Sequence, residues 1–281
     1  MPLDQPLEEK EMSFLDHLEE LRWHIVRSVI AILIGAIVAF IYDEILFDVI
    51  IFGPKDPHFI TYRAFCKIGQ WVGLSDQMCL QDIPIKIINM TMGGQFNMHM
   101  WSSIVAGFIL AFPYVLWEIW RFLRPALYPH ERKNASGLLA YASLLFLAGV
   151  AFGYFIIGPL SVNFLGNYRI SDEISNTINL SSYISTVTTV TLATGILFEL
   201  PILIYFFTRI GLITPEFLRK YRRHALVLNL LVSAIITPPD IISQIIVAMP
   251  LGILYEIGIL VSARTAKRQL AADNKSLIKK A

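Results

Sequence analysis

Two carboxylates stand out by where the sequence puts them. Glu199 lies inside an apolar run, Gly195-Ile196-Leu197-Phe198-Glu199-Leu200-Pro201, and Glu20 ends an acidic stretch that leads straight into the first long apolar run. An ionised carboxylate in hydrocarbon is costly, so one retained there is either a functional group or a protonated, hydrogen-bonded core residue. Eight residues separate Glu199 from Phe207, about 12 Å of helix, which is too far to snorkel comfortably to the interface. Pro201 removes a backbone donor and should kink the helix beside it, turning the carboxylate toward a groove or a wet cavity.

The stretch Ser13-Phe14-Leu15-Asp16-His17-Leu18-Glu19-Glu20-Leu21-Arg22 reads as a helix with two faces. At about 100° per residue Phe14, Leu18, Leu21 and Ile25 share one stripe, with Asp16, Glu19 and Glu20 on the other side. Ser13 and Asp16 have capping-box spacing. Either this helix rests on a bilayer with its charges solvated, or its acids form a receptor surface for something basic. A second acid, Glu131, is alone among the bases of the loop Arg121–Lys133. By itself it reads as an ion pair within the loop worth under about 1 kcal/mol; it matters if the fold brings it beside Glu20. Glu118, one turn from Phe122 between two tryptophans, reads as an interfacial group that snorkels. Glu256 reads as structural, within reach of Arg264 or water, and Asp240 as a helix cap.

These residues must be positioned by membrane spans. The chain has 281 residues, 55% hydrophobic and 16% charged, with mean hydropathy +0.59, against about 25% charged in soluble proteins. It reads as an all-α integral membrane protein. A net charge of +1 and no basic aromatic patch argue against nucleic acid. No H-E-x-x-H, G-x-S-x-G or P-loop pattern points to an enzyme, a metal or a cofactor. Apolar runs place spans at about 23–42, 98–122, 137–160, 184–207, 225–236 and 241–261, each of the first four able to cross about 30 Å of hydrocarbon. That makes six transmembrane helices, the fifth and sixth forming a short hairpin around Thr237-Pro238-Pro239-Asp240. Basic residues gather on the side of both termini, which predicts cytoplasmic ends: an amphipathic segment, 1–22, and a basic tail, 264–281. The acidic N-terminus argues against a cleaved signal, so the first span is expected to stay as an anchor. A long external loop, 43–97, carries Cys66 and Cys79, either a disulfide or two unrelated thiols.

Several motifs in order, Phe14–Arg22, Phe112-Pro113, Phe122–Arg132, Phe198-Glu199-Leu200-Pro201, and Thr237-Pro238-Pro239-Asp240 with Gln244, Pro250 and Glu256-Ile257-Gly258, resemble the TatC family. The resemblance covers nearly the whole chain. It implies the core receptor subunit of the twin-arginine translocase, a six-helix concave, glove-like bundle in the bacterial cytoplasmic (inner) membrane that takes part in export of folded proteins. Carried over by position, it implies a signal-peptide site at Glu20 and Glu131, with Leu18, Leu21, Phe122 and Arg132 around it. It implies an intramembrane polar contact at Glu199 with Pro201 and Gln244, and an external turn at Pro238, Pro239 and Asp240. Partners would be single-span TatA- and TatB-type subunits, Arg-Arg signal peptides, lipid and further copies of the chain, with no cofactor. Three departures stand out: the long loop with its cysteines, Met92-Gly93-Gly94-Gln95-Phe96 where a proline is commoner, and Glu118 where glutamine is expected. The rival reading is a proton-coupled transporter of a small solute that uses Glu199; the absence of a second intramembrane charge near it and of broken-helix pairs weighs against that.

Overall fold

The structure, a computed structural model, describes residues 14–72, 86–123, 135–171 and 176–280. Among them five helical stretches are long and apolar enough to cross a membrane: Glu19–Ile41, Gly94–Phe122, Gly137–Asn167, Leu180–Arg209 and Ser243–Leu270. Each overlaps an expected span.

Helices α1 (Phe14–Ile41) and α3 (Gly94–Leu123) form the most extensive helix pair. They run antiparallel, and two glycines let their backbones touch. A Cβ added at Gly107 would lie 2.4 Å from the Ala36 nitrogen and 2.8 Å from its Cα, and one at Gly35 would lie 3.0 Å from the Gly107 Cα. In lipid there is no hydrophobic drive between helices, so close approach through small residues supplies the dispersion contact that holds such a pair. Near one end Phe40 stacks on His99 at 3.9 Å.

The third span begins as α4 (Ala135–Phe152), passes through a π-type turn at Gly153–Ile157, and continues as α5 (Gly158–Asn167). Gly149 and Gly153 take it against α6 (Leu180–Phe198), where Cβ atoms would meet Phe198 and Thr194. The fourth span is broken at Glu199, and α7 (Leu200–Arg209) restarts with Pro201 in its first turn, a position where the missing N–H costs nothing. Threonines bond back onto their own helices, Thr188 to the Ile184 carbonyl at 2.7 Å and Thr208 to that of Ile204 at 2.8 Å. Thr208 also joins α7 to the last helix through Ser262 at 2.8 Å.

After the short α8 (Pro215–Lys220) comes α9 (Arg222–Ile236), which has 15 residues. It covers about 22 Å, less than a hydrocarbon core. The last helix, α10 (Ile241–Lys280), corrects the expected short sixth span, for it runs 40 residues without a break. Beyond Val261 the sequence has no Gly or Pro to stop a helix, and Gln269 ties the extension to the Arg209 carbonyl at 2.8 Å.

Between α1 and α3 the described residues form several short elements. A π-type turn (Ile45–Ile51), a tight turn at Gly53–Lys55, the amphipathic α2 (Ile60–Val72) and strand β1 (Lys86–Ile88) follow one another. β1 pairs in parallel with β2 (Thr177–Asn179), Ile87 opposite Ile178, a small departure from an all-helical chain. Buried hydroxyls satisfy the carbonyls left open at the turns: Tyr62 donates to Pro54 at 2.7 Å and Pro159 at 3.0 Å, and Tyr183 to Ile51 at 2.9 Å. Burial raises the Tyr62 phenol above its ordinary value and keeps it a donor.

Candidate functional site

Of the residues expected at the arginine site, Glu20, Leu21 and Phe122 sit where α1 and α3 run side by side. Glu20 and Leu21 of α1 and Phe122 of α3 are all half-buried. The Glu20 Oε2 atom is fully buried and accepts no hydrogen bond among the described residues. Among the described residues such an atom has lost water without gaining a donor, so it is free to accept one. Leu18 lies in α1, whereas Glu131 and Arg132 fall outside the described residues. Glu19 is 67% exposed and lies 3.9 Å from the equally exposed Arg22, a solvated pair of little energetic weight. Ile25 faces outward at 53% exposure, so the apolar stripe it belongs to looks toward lipid at that point.

One turn inward is a polar cluster that the sequence did not reveal. Glu118, read above as a snorkelling group, is 1% exposed. The correction has a simple cause: it lies on the face of α3 that meets α1. There His24 Nδ1 bonds to its Oε2, Tyr114 donates to its Oε1 at 2.9 Å, and the Arg27 guanidinium stands 3.9 Å from Oε2. His24 is itself buried and meets the edge of Phe122, ring centroids 6.1 Å apart. Two signals were present: Tyr114 and Glu118 share the i,i+4 spacing of helix neighbours, and His24 is a titratable group at the start of an apolar run.

Glu199 occupies the break between α6 and α7, 7% exposed, where its backbone conformation (φ −75°, ψ −3°) ends one helix and begins the next. Among the described residues neither carboxylate oxygen receives a hydrogen bond of normal geometry, although the Phe146 backbone approaches it. Pro201 is buried beside it. The structure does not bring Gln244 to Glu199 as one polar contact: Gln244 donates to the Leu230 carbonyl at 3.2 Å, tying α9 to α10. Asn229 does the same to Ala248 at 2.8 Å. Arg222 pairs with Glu256 at 2.8 Å, where the sequence had offered Arg264 as the partner. Between α9 and α10, Arg222, Asn229 and Glu256 border a cleft of about 460 Å³. At the turn, Asp240 Oδ2 accepts the Ser243 N–H at 2.8 Å, the expected cap, and follows Pro238 and Pro239. Cys66, on α2, is disulfide-bonded; Cys79 lies outside the described residues.

The fold and these sites define a polytopic helical membrane protein whose polar chemistry is recognition between helices. Residues 16–250 match the Sec-independent protein translocase protein (TatC) family. A TatC protein of Blattabacterium from Periplaneta americana is 42% identical over 263 residues, covering 93% of this chain and 99% of the relative. The Aquifex aeolicus TatC is 35% identical, covering 96% of this chain and all of the relative, and Bacillus subtilis TatCy is 31% identical, covering 94% of each. A crystal structure of the twin-arginine translocase receptor TatC superposes with a TM-score of 0.67 at 32% identity, covering 89% of this chain and 99% of that one. This chain belongs to the TatC family of Sec-independent protein translocase components. It is a multi-pass inner-membrane transport protein and not an enzyme. That assignment does not favour the small-solute transporter.

Proposed function

We propose that this chain is the receptor subunit that binds Arg-Arg signal peptides at the cytoplasmic face and nucleates the complex that exports folded proteins. The buried Glu20 oxygen at the α1–α3 end, which has no donor among the described residues, carries the reading. A guanidinium is planar and permanently charged and pairs with a carboxylate through two parallel hydrogen bonds, which a lysine ammonium cannot reproduce. Glu20 and Glu131 take one arginine each, and Leu18, Leu21, Phe122 and Arg132 wall the site. The chain crosses the membrane six times with both termini in the cytoplasm, α9 being the short fifth span. Its outward Leu226, Val227, Leu231 and Ile235 suit contact with lipid. A span that short thins the bilayer around it, at a fraction of a kcal/mol per Å of mismatch. The six helices curve into a concave, glove-like bundle, and Cys66 pairs with Cys79 beneath its external side. Single-span TatA- and TatB-type subunits dock at the Glu199–Pro201 break, with Gln244 on the neighbouring hairpin, and further copies of the chain join them.

Site-specific crosslinking of a synthetic Arg-Arg signal peptide to the membrane-embedded chain tests this. Glu20→Gln and Glu131→Gln each weaken crosslinking sharply, and a Lys-Lys peptide crosslinks poorly to the unaltered chain. Unchanged crosslinking in both variants, or equal crosslinking of the two peptides, refutes the site.

A further inference from the structure

The helix pair that carries Glu20 is joined, one turn inward, by a buried polar contact. On α1, Glu20 and His24 are four residues apart; on α3, Glu118 and Phe122 are four apart. Residues at that spacing lie above one another on one helix face. His24 meets Glu118 directly, so their outer neighbours Glu20 and Phe122 are brought to the same level across the helix pair. The contact of His24 with the Phe122 ring edge ties the two levels together.

Glu118 cannot itself receive a peptide. It is 1% exposed, and both its oxygens are engaged, Oε1 by Tyr114 and Oε2 by His24, with Arg27 at 3.9 Å. Glu20 is the converse case, half-buried with one oxygen unpartnered. The two acids therefore differ in kind, Glu118 with both oxygens engaged and Glu20 with one that has no donor among the described residues.

Deeper in the span the helices touch backbone to backbone at Gly35 and Gly107. From there to the His24–Glu118 contact is eleven residues on each helix, about 16 Å. The glycine contact acts as a fulcrum, and beyond it the polar contacts from α1 to α3 converge on Glu118. Removing either member of the pair leaves a buried group without its partner, and the helices relieve that by admitting water and parting at their ends.

We propose that His24 and Glu118 are positioning residues: their contact sets the spacing of α1 and α3 at which Glu20 and Phe122 form the signal-arginine site. This rests on the reading of Glu20 as part of that site. It assigns Glu118 a role that depends on His24, and so on the combination of the two side chains.

The test uses the full chain in lipid nanodiscs, a fluorescent Arg-Arg signal peptide with its Lys-Lys counterpart, and spin labels at the exposed positions 19 and 121. His24→Ala and Glu118→Ala each weaken Arg-Arg peptide binding roughly tenfold, narrow its advantage over Lys-Lys, and lengthen or broaden the label distance. The exchanged pair, H24E/E118H, restores the distance and brings affinity within about threefold of the unaltered chain, because the contact is remade with its members reversed. A role in stability alone would lower the folded fraction equally for both peptides and leave the Arg-Arg over Lys-Lys advantage of the single variants unchanged. Single alanine variants that bind like the unaltered chain overturn the proposal, as does an exchanged pair that keeps the normal melting profile yet binds no better than the alanine variants. If the alanine variants do not fold, the exchanged pair decides: tight binding with the normal distance supports the lock, and weak binding in a folded protein overturns it. Glu20→Gln separates this from the site assignment. If it binds like the unaltered chain, the arginine site is wrong; if it loses binding while both alanine variants keep theirs, only the lock is wrong.

Discussion

Replacing Gly107 by alanine should destabilise the protein, although alanine is the better helix former. The structure sets two terms against each other. Alanine in a helix interior gains about 0.8–1.0 kcal/mol over glycine. At Gly107, however, the new Cβ would lie 2.4 Å from Ala36 N, 2.7 Å from Ile32 O and 2.8 Å from Ala36 Cα, all backbone atoms of α1 that cannot rotate away. Carbon atoms rest about 3.5–4.0 Å apart, so the helices must separate by roughly 1 Å. Overpacking of that kind costs typically 1–3 kcal/mol, and separation also forfeits dispersion along the rest of the pair. The net expectation is a loss of about 1–2 kcal/mol, a five- to thirtyfold fall in the folded ratio. Gly137→Ala is the internal control: nothing lies within 4 Å of its added Cβ, so the same substitution there keeps the propensity gain. Both variants are measured by denaturant titration in one detergent, with tryptophan fluorescence as the readout. Opposite signs are expected. If Gly107→Ala is as stable as Gly137→Ala, the backbones of α1 and α3 are not in contact and the fulcrum beneath the polar pair disappears.

Substitutions at three other positions address separate elements. Asp240→Ala removes the cap on the Ser243 N–H and should cost about 0.5–2 kcal/mol, with Asp240→Asn recovering most of it, both read as thermal stability in detergent. Asn229→Leu deletes the bond to the Ala248 carbonyl between α9 and α10; a loss of about 0.6 kcal/mol, at most about 1.7, should appear as faster hydrogen exchange in α9 with the other spans unchanged. Glu199→Ala should leave Arg-Arg peptide binding intact and reduce co-purification of the single-span subunits; normal assembly and export in that variant would make Glu199 a core residue without a partner.

What the sequence made legible was whatever a single element decides. Four apolar runs announced four of the five long spans because hydropathy sums along one helix and needs no partner. The break at Glu199 was readable from Pro201, and the cap at Asp240 from a carboxylate that follows two prolines and precedes an apolar run, since both act within a few residues. The end of the last helix was misread for a related reason. Val261 closes the apolar run, but hydropathy does not terminate a helix, and Ser262 to Lys280 contains nothing that does. The pairing of β1 with β2 joins Lys86 to Thr177 across two spans, and no three-residue strand declares such a partner.

Glu118 was misread because its surroundings depend on the register of two helices. Next to Trp117 and Trp120 it has the sequence context of an interfacial acid, and its partner is 94 residues away. Yet the missing information was small. For antiparallel helices one contact fixes the others: given Gly35 against Gly107, stepping eleven residues outward on each helix arrives at His24 and Glu118, and four more arrive at Glu20 and Phe122. Glycines that permit backbone contact are therefore where the register of such a pair is anchored, and the polar residues three turns away inherit their neighbours from it. Glu118 follows from the same step, which turns an acid that would be unremarkable on a lipid-facing helix into the centre of a buried cluster beneath the proposed arginine site.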